Sequence, residues 1–154
     1  MSAKTVWYFA YGSNMDAARM RERLKDVGGW QERVPAVLEG WRLVFNKVAW
    51  PDLHHGFANI VPAAGEEVEG CLYRLPGAAL EALDHYEGVP NHYVRREVTA
   101  KRRDTGENLA VVTYVAQSEW VREGLKPSRE YLQHLLAGEK CLSQEYFQRL
   151  RNVL

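Results

Sequence analysis

The stretch that decides the fold is Tyr8-Phe9-Ala10-Tyr11-Gly12-Ser13-Asn14. It continues an apolar run that begins at Val6-Trp7, and such runs are typical of buried strands. A glycine and two helix-capping residues end the run, and a helix-forming segment follows at 15–24, with Asp16 in its first turn. This order points several backbone N–H groups and the positive end of a helix dipole at one place. It predicts either an anion-binding turn or an ordinary strand-to-helix connection.

The composition is that of a folded globular chain. The 154 residues, 46% of them apolar, suffice for one domain with a sizeable core, so we expect a single domain over 1–154. Twenty basic residues balance twenty acidic ones, so no overall field attracts nucleic acid or an anionic membrane. The sequence has neither a membrane-spanning apolar run nor an apolar signal region, which predicts a cytoplasmic protein. Cys71 and Cys141 are expected to be free thiols.

Strand patterns dominate the middle of the chain. Strands are predicted at 33–38, 41–45, 57–61, 67–75, 93–101 and 108–115, with a break at Glu39-Gly40. Besides 15–24, helices are predicted at 78–87, after Pro127-Ser128 and after Ser143. Many strands and few helices indicate an α+β domain built around a largely antiparallel or barrel-like sheet.

Glu87 stands at an unusual position for a carboxylate. It follows Leu80 and Leu83 at i+7 and i+4, so it projects from the apolar face of the predicted helix. It also lies in the last turn, where the helix dipole disfavours negative charge. Burial and the dipole would both raise the pKa of Glu87 toward the range used in proton transfer. The alternative is that the helix ends early and Glu87 is solvated.

Four segments in a fixed order resemble the γ-glutamylcyclotransferase family. The opening stretch resembles the substrate loop of that family. Trp50 with residues 55–60 is similar to the family's tryptophan and glycine-rich strand entry. Residues 83–89 with Tyr93 are similar to the segment that holds its acid/base glutamate. Residues 127–131 are similar to the segment that supplies its substrate-contacting tyrosine. The resemblance covers nearly the whole chain. It implies a small, mixed, mostly antiparallel β-barrel with flanking helices.

The resemblance also implies a reaction that needs no cofactor, in which a small γ-glutamyl amide is cyclised to 5-oxoproline and its amine is released. By the resemblance, Glu87 would be the catalytic acid/base. Three supporting residues are predicted from their residue types and positions instead: Asn14 is expected to cap and brace the loop, and Tyr93 and Tyr114 are expected either to line the pocket or to pack in the core. The implied substrate-binding residues are Tyr8, Phe9, Ala10, Tyr11, Gly12, Ser13 and Tyr131.

No metal site is predicted. His54 and His55 are adjacent, so on an extended chain they point to opposite sides, and no Cys/His/Asp spacing fits zinc. The sequence leaves open whether the protein forms a homodimer.

Residues 44–56 depart from the family pattern. The spacing from tryptophan to glycine is rebuilt by residues 51–55, and of the family's double glycine only Gly56 remains. The identity of the leaving amine is therefore open. The substrate is a γ-glutamyl amino acid, a γ-glutamylamine, γ-glutamyl-ε-lysine, or a biosynthetic intermediate that carries a γ-glutamyl protecting group. Glutathione is not expected, because the branch specialised for it has a different loop. A further alternative is a non-catalytic domain that binds an acidic metabolite.

Overall fold

The computed structural model describes residues 4–154. Its strands are β1 (Thr5–Ala10), β2 (Glu32–Val48), β3 (Gly56–Pro76), β4 (Tyr93–Arg102) and β5 (Asn108–Ala116). They close a barrel in the order β1-β3-β2-β4-β5. The neighbours pair antiparallel except β1 and β5, which run parallel where Tyr8 faces Val112. The prediction of a mixed, mostly antiparallel barrel is confirmed.

In the described part of the chain, 4–154, four α-helices flank the barrel: α1 (Ala17–Leu24), α2 (Gly77–Tyr86), α3 (Arg129–Leu136) and α4 (Gln144–Arg151). The last two helices begin after a serine, as predicted, and each serine caps its helix. The Ser128 hydroxyl accepts from the Tyr131 N–H at 3.1 Å, and the Ser143 hydroxyl accepts from the Tyr146 N–H at 3.2 Å. Each cap satisfies one of the N–H groups that a helix start leaves unpaired.

The long pair β2–β3 corrects two predictions. The expected break at Glu39-Gly40 is a bulge inside the 17-residue β2, and β3 runs unbroken through 21 residues. Gly40 on β2 and Gly65 on β3 lie within the irregularity, with φ of +85° and +81°, a backbone conformation that glycine adopts without steric cost. The glycine pattern that predicted a break between strands therefore marks a place where two continuous strands bend.

The start of α1 also differs from the prediction. Ser13–Met15 forms a separate 3-10 turn, and α1 begins at Ala17 with Asp16 as its N-cap. The Asp16 carboxylate accepts from the N–H groups of Ala18 and Arg19 at 3.1 and 3.4 Å. The positive end of the α1 dipole is therefore occupied by Asp16 and is not available to a bound anion.

Within the described residues, the buried hydrophobic side chains form two clusters. One consists of strand residues together with Tyr11, and includes Phe9, Ile60 and Leu72. The other joins the barrel to the helices and includes Met20, Tyr73, Leu83 and Leu135. Cys71 and Cys141 belong to this second cluster and are free thiols, as predicted. None of the helices within residues 4–154 is long and apolar enough to cross a membrane.

Candidate active site

A cavity of about 230 Å³ lies where the end of β1, the loop after it, α1, the end of α2 and the start of α3 meet. It brings together most of the residues that the sequence singled out, although they come from five different parts of the chain. The predicted residues that line it are Tyr8, Tyr11, Gly12, Ser13, Asn14, Glu87, Tyr93, Tyr114 and Tyr131.

Phe9 and Ala10 do not line this cavity. Both are buried, and the side chain of Phe9 packs with the strand cluster because successive side chains of a strand point to opposite faces. The carbonyl of Phe9 accepts from the Thr113 hydroxyl at 2.9 Å, and Ala10 pairs with Cys71 of β3. Their geometry fits a role in the core, and neither enters the site proposed below.

Glu87 is the C-cap of α2, one residue beyond the helix. The next residue, Gly88, has a φ of +65°, which ends the helix in the way typical of a glycine at this position. A Cβ at Gly88 would lie 2.9 Å from the ring of His92, so the glycine also permits a close approach. The helix ends one residue earlier than predicted, yet Glu87 is half-buried and lines the cavity.

Asn14 connects the loop to Glu87. Its amide nitrogen donates to the Tyr8 hydroxyl at 3.0 Å and to Glu87 Oε1 at 3.1 Å. Its side-chain oxygen accepts from Arg23 Nη1 at 2.8 Å. Both amide hydrogens and the amide oxygen therefore have partners, which fixes the orientation of this buried side chain. The predicted bracing role agrees with these contacts, but the predicted capping role was wrong, because Asp16 caps the helix.

The surroundings of Glu87 raise its pKa. Burial, which disfavours the charged form, is the largest cause. The cations of Arg23, Arg19 and Lys47 and the hydrogen bond from Asn14 all favour the charged form, but they do not outweigh burial. The direction agrees with the expectation from the sequence.

The turn after β1 comes very close to Tyr131. A Cβ on Gly12 would lie 3.1 Å from the Tyr131 hydroxyl oxygen and 3.2 Å from the Cβ of Ala58, so a larger residue would push these groups apart. The Tyr131 hydroxyl accepts from the Ala58 N–H at 3.0 Å. Within residues 4–154, the backbone N–H groups of Gly12 and Asn14 have no hydrogen-bond acceptor, so they remain available to a ligand.

Three further tyrosines form the wall of the cavity, with their hydroxyls engaged elsewhere. Tyr11 donates to the carbonyl of Tyr114 at 2.6 Å, and Tyr93 donates to the carbonyl of Ala58 at 2.8 Å. Tyr114 donates to Asp84 Oδ1 at 2.7 Å. Burial raises the pKa of all three hydroxyls, so they remain protonated and act as fixed, neutral groups.

Three cations that the sequence did not single out also line the cavity: Arg19, Arg23 and Lys47. A weak signal existed for the first two, since residues four apart on a helix share one face. For Lys47 the signal was a lysine inside the apolar end of a strand, at Phe45-Asn46-Lys47-Val48. Within residues 4–154, no group of three His, Cys, Asp or Glu side chains is arranged to hold a metal ion.

Comparison with known proteins agrees with this architecture. Residues 8–133 match the family model described as gamma-glutamyl cyclotransferase, AIG2-like. The gamma-glutamylcyclotransferase of Mus musculus is 27% identical, over 97% of this chain and 79% of its own length. That of Homo sapiens is 28% identical, over 95% of this chain and 77% of its own length.

The fold agrees with a solved structure as well. A gamma-glutamyl cyclotransferase superimposes with a TM-score of 0.85 at 27% identity, covering 98% of this chain and 89% of the other. The chain belongs to the γ-glutamylcyclotransferase family, whose named members are enzymes.

Proposed function

We propose that this protein cyclises the γ-glutamyl group of a small amide to 5-oxoproline and releases the amine. The observation that carries the proposal is the hydrogen bond of 3.1 Å between Asn14 and Glu87. It ties a carboxyl group of raised pKa to a turn with unoccupied backbone donors, and all of them face one cavity. Membership of the family supports the same reaction.

The proposed chemistry balances without water or a cofactor. The α-amino nitrogen of the γ-glutamyl group attacks its own γ-carbonyl carbon, a C–N bond forms, and the bond to the leaving nitrogen breaks. The ammonium form of the substrate first loses one proton, which the released amine takes up as it becomes an ammonium. Starting from the free α-amine, one further proton has to move from the attacking nitrogen to the leaving nitrogen. Glu87 accepts this proton as a base and returns it as an acid, and a raised pKa suits it to both steps at neutral pH.

The loop would hold the substrate in a reactive shape. The γ-glutamyl chain is flexible, and fixing its amine beside its carbonyl can supply several kcal/mol of the barrier. The free N–H groups of Gly12 and Asn14 are suitable donors for the α-carboxylate or for the oxyanion that develops during attack. Tyr131, whose hydroxyl lies against Gly12, would contact the substrate from α3.

Two observations favour catalysis over mere binding of an acidic metabolite. A domain that only binds an anion gains nothing from a carboxyl group in the same cavity, since two negative charges repel each other. The cost of burying the Glu87 carboxyl, seen in its raised pKa, is understandable if the group transfers protons.

The test is turnover of a panel of γ-glutamyl dipeptides, γ-glutamylamines and glutathione, measured as 5-oxoproline release. We expect release from at least one of the first two groups, and loss of about a hundredfold or more in kcat for Glu87→Gln. Glu81→Gln is the matched control, because Glu81 lies on the same helix and is exposed. No release from any compound at high enzyme concentration would overturn the proposal, and an active Glu87→Gln enzyme would place the base elsewhere.

A further inference from the structure

Two side chains that do not line the cavity hold the turn after β1. Arg33 on β2 and Tyr73 on β3 lie opposite each other in the strand register, and Tyr73 is fully buried. The Tyr73 hydroxyl donates to the carbonyl of Asn14 at 2.7 Å. Arg33 Nη2 donates to the carbonyl of Met15, also at 2.7 Å. The barrel therefore holds two consecutive carbonyls of the turn that carries Asn14.

These two carbonyls receive no hydrogen bond from the backbone. Within residues 4–154, no backbone N–H donates to the carbonyl of Asn14 or to that of Met15. The 3-10 turn pairs only the two preceding carbonyls, those of Gly12 and Ser13. Buried carbonyls in folded proteins almost always have a donor. The two barrel side chains supply the donors that the turn itself lacks.

Arg33 is a half-buried cation without a carboxylate partner. Within residues 4–154, no Asp or Glu carboxylate lies within salt-bridge distance of it. Its Nε donates to the Tyr73 hydroxyl at 3.1 Å instead. A hydroxyl that accepts from a cation becomes a stronger donor, because hydrogen bonds in a chain polarise one another. Burial raises the pKa of Tyr73, so this hydroxyl keeps the proton that it donates to Asn14.

The peptide group between Asn14 and Met15 is held at both ends. Its carbonyl accepts from Tyr73, and its N–H donates to the carbonyl of Gly12 at 3.0 Å. Because a peptide group is planar, two such bonds fix its orientation and with it the position of the Asn14 Cα. That position determines where the Asn14 side chain lies, and its amide nitrogen donates to Glu87 Oε1 at 3.1 Å.

We propose that Tyr73 and Arg33 are positioning residues for the reaction, which act through Asn14 by keeping its side-chain amide on Glu87. This inference rests on the proposed function, since the group that they position is the proposed acid/base. Neither residue touches the substrate or moves a proton. The charged groups that face Glu87 come from α1 and β2 and stay unchanged in the experiments below: Arg19, Arg23 and Lys47.

The first test is the pH dependence of kcat/KM in Tyr73→Phe, with a γ-glutamyl compound that the wild type cyclises. This change removes the hydroxyl and keeps the ring packed on Tyr8 and Trp30, whose ring centres lie 6.2 and 5.0 Å away. A weakened bond from Asn14 raises the pKa of Glu87, so we expect the acidic limb to move to higher pH. At neutral pH, kcat/KM should fall by about twofold to tenfold, as for the loss of one hydrogen bond.

Tyr146→Phe is the matched control for this variant. Tyr146 is a buried tyrosine outside the cavity, and within residues 4–154 its hydroxyl has no hydrogen-bond partner. Its removal should leave the limb in place. An unmoved limb in Tyr73→Phe, with or without a loss of stability, would overturn the inference, because the hydroxyl would then serve the fold alone.

The same change made in Asn14→Ala tests the route of the effect. Asn14→Ala has already lost the bond to Glu87, so adding Tyr73→Phe should move the limb no further. An equal movement in the presence and absence of the Asn14 amide would overturn the inference, since the hydroxyl would then act on Glu87 by another route.

Arg33→Met tests the other half of the pair. It leaves the Met15 carbonyl and the Tyr73 hydroxyl without the guanidinium, so the limb should move in the same direction as in Tyr73→Phe. Arg74→Met is the control, because Arg74 follows Tyr73 on β3 and binds Glu32 at 3.0 Å, away from the turn. A limb that stays in place in Arg33→Met would contradict a positioning role for Arg33.

A measurement without substrate separates this inference from the proposed function. If the wild type releases 5-oxoproline from no γ-glutamyl compound, the proposed function fails, and NMR titration of the Glu87 carboxyl carbon in ¹³C-labelled protein still tests the positioning. We expect Glu87 to titrate at higher pH in Tyr73→Phe than in the wild type. In Asn14→Ala, the further change Tyr73→Phe should have no effect. The same titration midpoint in Tyr73→Phe and in the wild type would contradict the inference.

Discussion

At the scale of single residues, Glu87 carries a carboxyl group whose charged form is disfavoured by burial. Its carboxyl group faces a cavity on the inner side of the α2 terminus, and burial raises its pKa despite three nearby cations. A raised pKa in the folded state means that the folded protein binds the proton more tightly than the unfolded chain does. The stabilisation that results is fully present at low pH and is lost as the pH rises through the folded pKa.

The first prediction concerns stability. Glu87→Gln cannot ionise, so we expect it to unfold at a higher denaturant concentration than the wild type at neutral pH. The difference should disappear at pH values below the unfolded pKa of a glutamate, where both side chains are neutral. Urea unfolding at a series of pH values measures it, with Glu81→Gln as control. A Glu87→Gln protein that is less stable than the wild type at neutral pH would contradict this account of the buried carboxyl.

The second prediction concerns Asn14, which we regard as a positioning residue. Its hydrogen bond favours the ionised form of Glu87, so Asn14→Ala should raise the pKa of Glu87 further. The acidic limb of the kcat/KM profile should therefore move to higher pH. Asn108→Ala, at an exposed position at the start of β5, should leave the profile unchanged. Lower activity with an unmoved limb would mean that Asn14 acts only through packing.

At the scale of elements, the connection from β1 to α1 shows what a local pattern can and cannot predict. The strand, the glycine turn and the helix were predictable from the order of residue types. Asp16 at the helix start was also a local signal, although it is the N-cap and not a first-turn residue. Its contact with His134 from α3, whose Nδ1 lies 2.8 Å from Asp16 Oδ2, was not predictable. A contact between residues this far apart in sequence leaves no periodic pattern.

The third prediction tests this cap. Burial opposes the ionisation of Asp16, but the hydrogen bonds from His134, Arg19 and Ala18 outweigh it and lower its pKa. Asp16→Ala should cost about 0.5–2 kcal/mol of stability at neutral pH. A depressed carboxyl pKa gives stability that is present above the unfolded pKa and is lost as the pH falls, so the cost should shrink in acid. Thermal unfolding measures it.

Two companions make this test specific. Asp16→Asn should be intermediate, since asparagine is a good N-cap but has no charge to attract His134. Asp26→Ala, at an exposed aspartate beyond the end of α1, should have little effect. An Asp16→Ala protein as stable as the wild type would show that the cap contributes nothing to holding α1 in place.

At the scale of the whole molecule, the barrel was predictable and the composition of its cavity only partly so. The alternation of strand residues and the family motifs indicated the barrel and located Glu87, Tyr131 and the loop. Lys47 was missed because its partners His92 and Trp120 come from outside β2. Arg19 and Arg23 were missed because basic residues on a short helix are typical of a solvent-exposed face. Charges that converge from separate elements are visible only once the chain is folded.

The fourth prediction separates the stability of the fold from the site. Glu69, on β3 and buried, accepts from the N–H and the hydroxyl of Ser143 at 2.7 and 2.8 Å and so fastens the start of α4 to the barrel. Glu69→Ala leaves the Ser143 N–H without this acceptor, so about 1–3 kcal/mol of stability should be lost. Because Glu69 does not line the cavity, kcat and KM of the folded variant should match the wild type. A large fall in kcat at full folding would contradict this separation.

The central claim is that the α-amine of the γ-glutamyl group attacks the γ-carbonyl of the same group and that water takes no part. The measurement that tests it most directly is mass spectrometry of the product formed from a γ-glutamyl dipeptide, labelled with ¹⁵N at its α-amine, in water enriched in ¹⁸O. The account predicts 5-oxoproline that retains the ¹⁵N and contains no ¹⁸O. Glutamate containing ¹⁸O would identify the protein as a hydrolase and contradict the account.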